Sequence, residues 1–209
     1  MKFWFFAILG SGLSVLTAMA QPPAKTGGFF SLFSKKPPAY VSEAALPEGW
    51  PLPGPYDQVV KKSYPAYRAA YTPTHSPNNG FWTLFKHIKK SSIPMTAPVE
   101  MTMTDGNRGP MEMEQMGFIY RSREVGNTGT GGENIVVRDV PACTAYSYTW
   151  QGPRNDETIA KARAATDAAL AAAKVTATGY RILSYNSPFV RSSKQTHELQ
   201  ALIEPDRRR

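Results

Sequence analysis

The spacing of hydrophobic and polar positions changes twice along the chain, each time in the same order. Residues 57–72 are rich in Val, Tyr and Thr, contain Pro65-Ala66 and read as strand. Residues 134–150 repeat that plan with Val136-Val137, Pro141-Ala142, Tyr146 and Tyr148-Thr149. A helical period follows each segment. Phe81, Leu84, Phe85 and Ile88 fall at i, i+3, i+4 and i+7 and so line one face, with Asn78-Asn79 where a cap is wanted. Asn155-Asp156 precedes an Ala-rich run over 158–174, whose small side chains permit close approach to a sheet, and Gly179 is the expected turn beyond it. Two more strand-like stretches come after each helix, 93–104 with 113–122 and 180–186 with 196–203. The order βαββ therefore occurs twice, joined by the Gly-rich stretch 126–132. That stretch is not a phosphate loop, because no Gly-Lys-Ser/Thr follows it and the next element is a strand. The duplication predicts one α+β domain over 56–205, two halves about a pseudo-twofold axis with a helix packed on each.

The chain before this domain has a different character. Lys2, the apolar run 3–9 and the small-residue ending Ala18-Met19-Ala20 have the form of a signal peptide over 1–20, cleaved before Gln21. Gly10, Ser11, Gly12 and Ser14 break the run well short of the ~20 apolar residues of a membrane span. The mature form is thus expected to be exported, periplasmic or extracellular, with no transmembrane span. Eight of the 18 prolines fall in 21–55, which predicts a tether or an extended wrap. Its patch Phe29-Phe30-Ser31-Leu32-Phe33 followed by Lys35-Lys36 fits either a membrane surface or the domain itself. Residues 206–209 form a basic tail.

The chain has 209 residues, a net charge of +8 and one Cys. Aromatic residues at 11% supply enough apolar area for a core, which excludes a wholly disordered polymer. One Cys excludes an intramolecular disulfide and any Cys-based zinc or iron–sulfur site. The charge favours an anionic partner, but an exported chain without a recognition motif is not expected to bind nucleic acid. His75, His87 and His197 lack the spacing of a metal site, and no Gly-x-Ser-x-Gly elbow or acid–base pattern supports hydrolysis. The chain reads as no enzyme. Met101-x-Met103 and Met111-x-Met113 share strand faces, and a hairpin through 105–110 would set Met101 opposite Met113 and Met103 opposite Met111. Four thioethers so placed suit Cu(I), a minor alternative to packing a core.

The most specific stretch is Ile93-Pro94-Met95-Thr96-Ala97-Pro98-Val99-Glu100-Met101, whose two prolines predict an edge or a barrel rim. Its Met-Thr-Ala-Pro-Val string resembles the hallmark of the SOUL haem-binding protein family. Gly80-Phe81-Trp82-x-Leu84-Phe85 upstream and Gly179-Tyr180 to Tyr185-Asn186-Ser187-Pro188 downstream fit that family in the right order. The resemblance implies a distorted antiparallel β-barrel of two βαββ repeats and non-covalent binding of haem or a related tetrapyrrole. The function implied is that of a carrier, buffer or scavenger. It also implies a ligand set against the first helix, 81–90, and the loop 188–195. Trp82, Phe85 and Phe189 would cover a porphyrin face, and Lys86, Lys89, Lys90, Arg191 and Lys194 would neutralise two propionates. The lysines fit equally the solvated face of an amphipathic helix. His87, on the helix but off the centre of its apolar face, is the candidate iron ligand. The halves also resemble multidrug effector-binding domains, so the alternative is a βαββ module for another amphiphilic small molecule.

Overall fold

A computed structural model describes residues 38–74, 79–105, 109–132 and 134–204. The stretch 1–20 expected as a signal peptide, the 29–36 patch, His75 and the basic tail lie outside them. In chain order the elements are β1 (Val59–Tyr64), β2 (Tyr67–Tyr71), α1 (Gly80–Lys90), β3 (Val99–Met103), β4 (Met113–Ile119), β5 (Gly129–Thr130), β6 (Val136–Val140), β7 (Cys143–Gln151), α2 (Asp156–Ala173), β8 (Ala177–Ser184) and β9 (Thr196–Ile203). The strands form one antiparallel sheet in the order β1-β7-β9-β8-β3-β4-β2-β6-β5. Both expected helices are present. Each long strand-like segment is split at its Pro-Ala pair, because Pro65 and Pro141 cannot donate to a ladder.

Three expectations fail. The sheet is open rather than a barrel. One edge, β1, carries Lys61, Lys62 and Ser63, and the other, β5, is Gly-Thr alone, so neither offers a long apolar ladder to close against. Next, the hallmark stretch is not at an edge, since β3 lies mid-sheet between β8 and β4. Both prolines precede Val99, the first ladder residue, so they cost the strand no hydrogen bond. Finally, Gly179 is not the turn after α2. Lys174 takes the left-handed conformation there at φ 55°, and Gly179 sits in β8 beside a register shift.

The methionine register also departs from expectation. A bulge between Thr102 and Met103 sets Met101 opposite Met116 and Met103 opposite Met113. Met101 and Met103 are buried under α2 with Ile159, Ala162 and Leu170, and Met111, Met113 and Met116 pack against that cluster. The four thioethers do not form the facing square a Cu(I) site was to use.

Both helices cover one sheet face. α2 lies over Tyr148, Ile182, Leu199 and Ala201, while α1 lies over Ala70, Phe118, Ile135 and Val137. The opposite face holds Tyr64, Tyr67, Tyr71, Leu183 and Tyr185. It is covered by the extended segment 38–55, whose Trp50 stands edge-on to Tyr64 at 4.9 Å and to Tyr67 at 5.3 Å. No described helix is long and apolar enough to cross a membrane.

Candidate functional site

α1 starts at Gly80, where an added Cβ would meet Thr72 Cγ2 at 3.2 Å, a contact that a side chain could make only if Thr72 gave way by a few tenths of an ångström. Asn79 caps it without a side-chain hydrogen bond. Leu84 and Ile88, one turn apart, anchor it in the core. Phe81 and Phe85 are half-buried and stack with ring centroids 6.2 Å apart. Trp82, 55% exposed, stands edge-on to both, at 5.4 Å from Phe81 and 5.9 Å from Phe85. The helix thus presents a partly open aromatic surface. Its last turn carries His87, Lys89 and Lys90, where the negative end of the helix favours cations. Lys89 Nζ lies 5.5 Å from the Phe85 ring centroid. Lys86 and Lys90 flank His87 at a notch of about 50 Å³ closed by Gly131, Gly132 and Ile135.

His87 is less available as an iron ligand than its position on the helix suggests. Its Nδ1 lies 3.0 Å from the Gly131 carbonyl oxygen and its Nε2 lies 2.8 Å from the Tyr120 hydroxyl, so both ring nitrogens are engaged. Burial pushes the Tyr120 hydroxyl up to about 12, which keeps it protonated. An axial bond at Nε2 requires the Tyr120 contact to break.

The loop between β8 and β9 contributes the other expected residues. Phe189 is 91% exposed, and Arg191 and Lys194 are exposed at the two ends of a single 3-10 turn, closed by the Lys194 amide donating to the Arg191 carbonyl at 2.7 Å. The loop is held by the Gln195 side chain donating to the Val190 carbonyl at 2.9 Å and by Ser187 donating to Glu43 at 2.8 and 3.0 Å. The structure therefore joins Trp82, Phe85 and Lys89 in one surface, with Lys86, His87 and Lys90 in an adjoining notch. Among the described residues no hydrogen bond, ion pair or ring contact links that surface to Phe189, Arg191 or Lys194. The aromatic and cationic groups on α1 suit a flat apolar ring bearing carboxylates, whereas the axial position is the weak part of the fit.

Sequence reasoning missed the polar network on the face away from the helices. Glu100 is buried and accepts from Tyr67 at 2.6 Å and Tyr71 at 3.3 Å, with Arg181 3.5 Å away. Glu198 is buried and accepts from Tyr64 at 2.5 Å, Lys62 at 3.1 Å, Gln200 at 2.8 Å and Tyr185 at 3.2 Å, as well as from Ser147. Burial, reinforced by these carboxylates, holds the Tyr64, Tyr67 and Tyr185 hydroxyls well above their usual value, which keeps them as donors. The available signal was alternation, which puts Arg181 on one face with Leu183 and Glu198 on one face with Gln200 but does not say that this face is buried. At the rim, the hallmark residues Met95, Thr96, Ala97 and Val99 meet Ser184 to Ser187 around a cavity of about 360 Å³, closed by Glu43 and Ala44.

The model of the SOUL heme-binding protein family matches residues 56–201. The chain belongs to the SOUL haem-binding protein family. That match covers more than half of its length, and both hallmark segments at the rim cavity fall within it. No curated protein matches. Among solved structures, an EcmrR–DNA complex aligns with a TM-score of 0.55 at 17% identity, over 71% of this chain and 58% of the EcmrR chain. The EcmrR C-terminal domain aligns at 0.52 and 17%, over 70% of this chain and 97% of that one. A hydrolase from Listeria innocua aligns at 0.51 and 11%, over 72% and 93%. At such identities these likenesses speak to the fold of a SOUL family member and to nothing finer.

Proposed function

We propose that the mature protein is an exported, non-catalytic tetrapyrrole-binding protein that carries, buffers or scavenges haem. The observation that carries this reading is the surface of α1, where Trp82 stands exposed beside the stacked Phe81 and Phe85 and the lysines of the last turn lie next to them. Haem would bring a broad apolar ring and two carboxylates. Trp82 and Phe85 would take the ring, and Lys86, Lys89 and Lys90 the carboxylates, with Phe189, Arg191 and Lys194 closing over the ligand if the loop folds toward α1. Removing one exposed lysine costs ~0–1 kcal/mol, a few-fold in affinity at most. Removing a covering ring costs ~1.5–3 kcal/mol. Haem titrated into the purified chain should therefore give a Soret shift, weakened more by Trp82→Ala or Phe189→Ala than by Lys89→Ala. No Soret change at micromolar haem defeats the reading. His87→Ala moves the Soret band only if His87 gives up Tyr120 for iron.

Export rests on Lys2, the apolar run and the Ala18-x-Ala20 ending. An intact mass of the native protein that begins at Gln21 supports it, and retention of Met1 refutes it. Internal duplication belongs to the same reading. With the two-residue β5 set aside, exchanging β1, β2, β3, β4 with β6, β7, β8, β9 reverses the strand order onto itself, as a twofold relation requires. Superposition of the halves that fails to exchange α1 with α2 would end it.

A further inference from the structure

A cavity of about 460 Å³ opens on the sheet face away from both helices, so it is separate from the α1 surface. Tyr67, Tyr71, Glu100 and Arg181 form its inner wall, Cys143 its floor at the start of β7, and Arg138 stands at its mouth on β6. Its size falls in the ~300–1,000 Å³ range of small-molecule sites.

The charges around it are unevenly committed. Glu100 is held by Tyr67, Tyr71 and Arg181, and Asp139 by Arg68 at 2.8 Å and Arg123 at 3.3 Å; Glu204 at the rim has a partner of its own. The cations are less well matched. Arg138 lies over the Tyr71 ring at 4.2 Å and donates to the Gln115 amide oxygen at 2.9 Å, and among the described residues no carboxylate pairs with it. Arg181 spends Nε on Gln200 at 2.7 Å and Nη1 on Tyr67 at 2.7 Å, but its Nη2 reaches only the Cys143 sulfur at 3.6 Å. A thiol is a weak acceptor, and an ionised oxygen placed there would be a far better one. The remaining wall, the Tyr71 ring with 140–142, Leu202 and Ile203, is apolar apart from Thr178, whose hydroxyl donates to the Leu202 carbonyl at 3.3 Å.

We propose that this cavity is a second binding site, for a small organic anion with an apolar body, whose charged group is read by Arg138 and by Arg181 Nη2. The pairing of one exposed guanidinium with one buried guanidinium orients the ligand. Its head points inward toward Cys143, and its body lies along Tyr71 and the β6–β7 turn. The site goes beyond the tetrapyrrole reading and does not depend on it.

Equilibrium dialysis of the full mature chain with anilinonaphthalene sulfonate, and with its uncharged analogue N-phenyl-naphthylamine, tests the proposal. The sulfonate should bind saturably and about three- to five-fold more tightly than the analogue, the scale of one partly exposed ion pair. Arg138→Ala should narrow that difference, Arg181 Nη2 remaining in place. Its side chain is exposed, so the fold should survive the change. Cys143→Phe, which fills the floor, should weaken both probes, and Lys86→Ala on α1 should affect neither. Equal affinity for the two probes, or sulfonate binding unchanged by Arg138→Ala, overturns the proposal. Displacement of the sulfonate by haem also overturns it as a second site while leaving tetrapyrrole binding standing. Absence of haem binding with sulfonate binding intact does the reverse.

Discussion

His197 should make this protein acid-sensitive. It lies in β9 between Trp150 of β7 and Ser184 of β8, 3% exposed, with its ring 5.4 Å from the Trp150 ring and its Nδ1 2.9 Å from the Ser184 hydroxyl. Its Nε2 is buried with no hydrogen-bond partner among the described residues. Burial first, and Arg154 second, push its pKa down from 6.5 to about 4. The folded state therefore resists a proton that the unfolded chain accepts. The stabilisation is fully present above pH ~6.5 and is lost as the pH falls toward about 4. At about 1.4 kcal/mol per pKa unit, the gap amounts to about 3 kcal/mol. That is a large part of an ordinary domain's ~5–15 kcal/mol. Urea unfolding followed by tryptophan fluorescence, on wild type and His197→Gln at several pH values between about 7 and about 4, isolates this contribution. Subtracting the variant removes the acid loss common to both chains, including that of Asp139, held low by Arg68, and Glu43, held low by the Ser187 amide. The difference between the two stabilities should shrink by about 3 kcal/mol on acidification. Parallel curves would refute the reasoning and mean that the ring is solvated or charged in the folded state.

Three further outcomes follow from packing and capping. Gly117→Ala places a Cβ 2.5 Å from Tyr71 Cε1, inside a buried ring that also faces Glu100; overpacking of this kind costs ~1–3 kcal/mol and should lower Tm by roughly 2–4 °C per kcal/mol, so an unchanged melting curve would contradict it. Trp50→Ala removes the ring that covers Tyr64 and Tyr67 and should cost ~3–5 kcal/mol in denaturant, and a loss below ~1 kcal/mol would show that the 38–55 segment contributes little to stability. Asn155→Ala removes the acceptor of the Thr158 amide at 3.0 Å and half of a capping box, with an expected loss of ~1 kcal/mol and no change by amide exchange in the part of the sheet under α1.

The helices were legible because their signals are local. Four apolar residues at helical spacing place α1, and Asn155-Asp156 marks the start of α2 whatever the rest of the chain does. The strand breaks at Pro65 and Pro141 went unread, each segment reading as one strand, although the signal is just as local: a residue without an N–H interrupts a ladder wherever it lies. The family was legible because its motif is a contiguous string, and the aromatic and basic residues of α1 because one helix carries them all. What the tertiary structure alone decided involves partners far apart in sequence. Alternation within a strand tells which residues share a face but not which strand lies beside it, so the mid-sheet place of β3, the open edges and the pairing of Met101 with Met116 came only from the assembled sheet. The same limit hid the buried polar network. Glu100, Arg181 and Glu198 look like ordinary strand charges until Tyr64, Tyr67, Tyr71 and Tyr185 converge on them from four other positions. A buried charge is tolerable only when such partners are already in place.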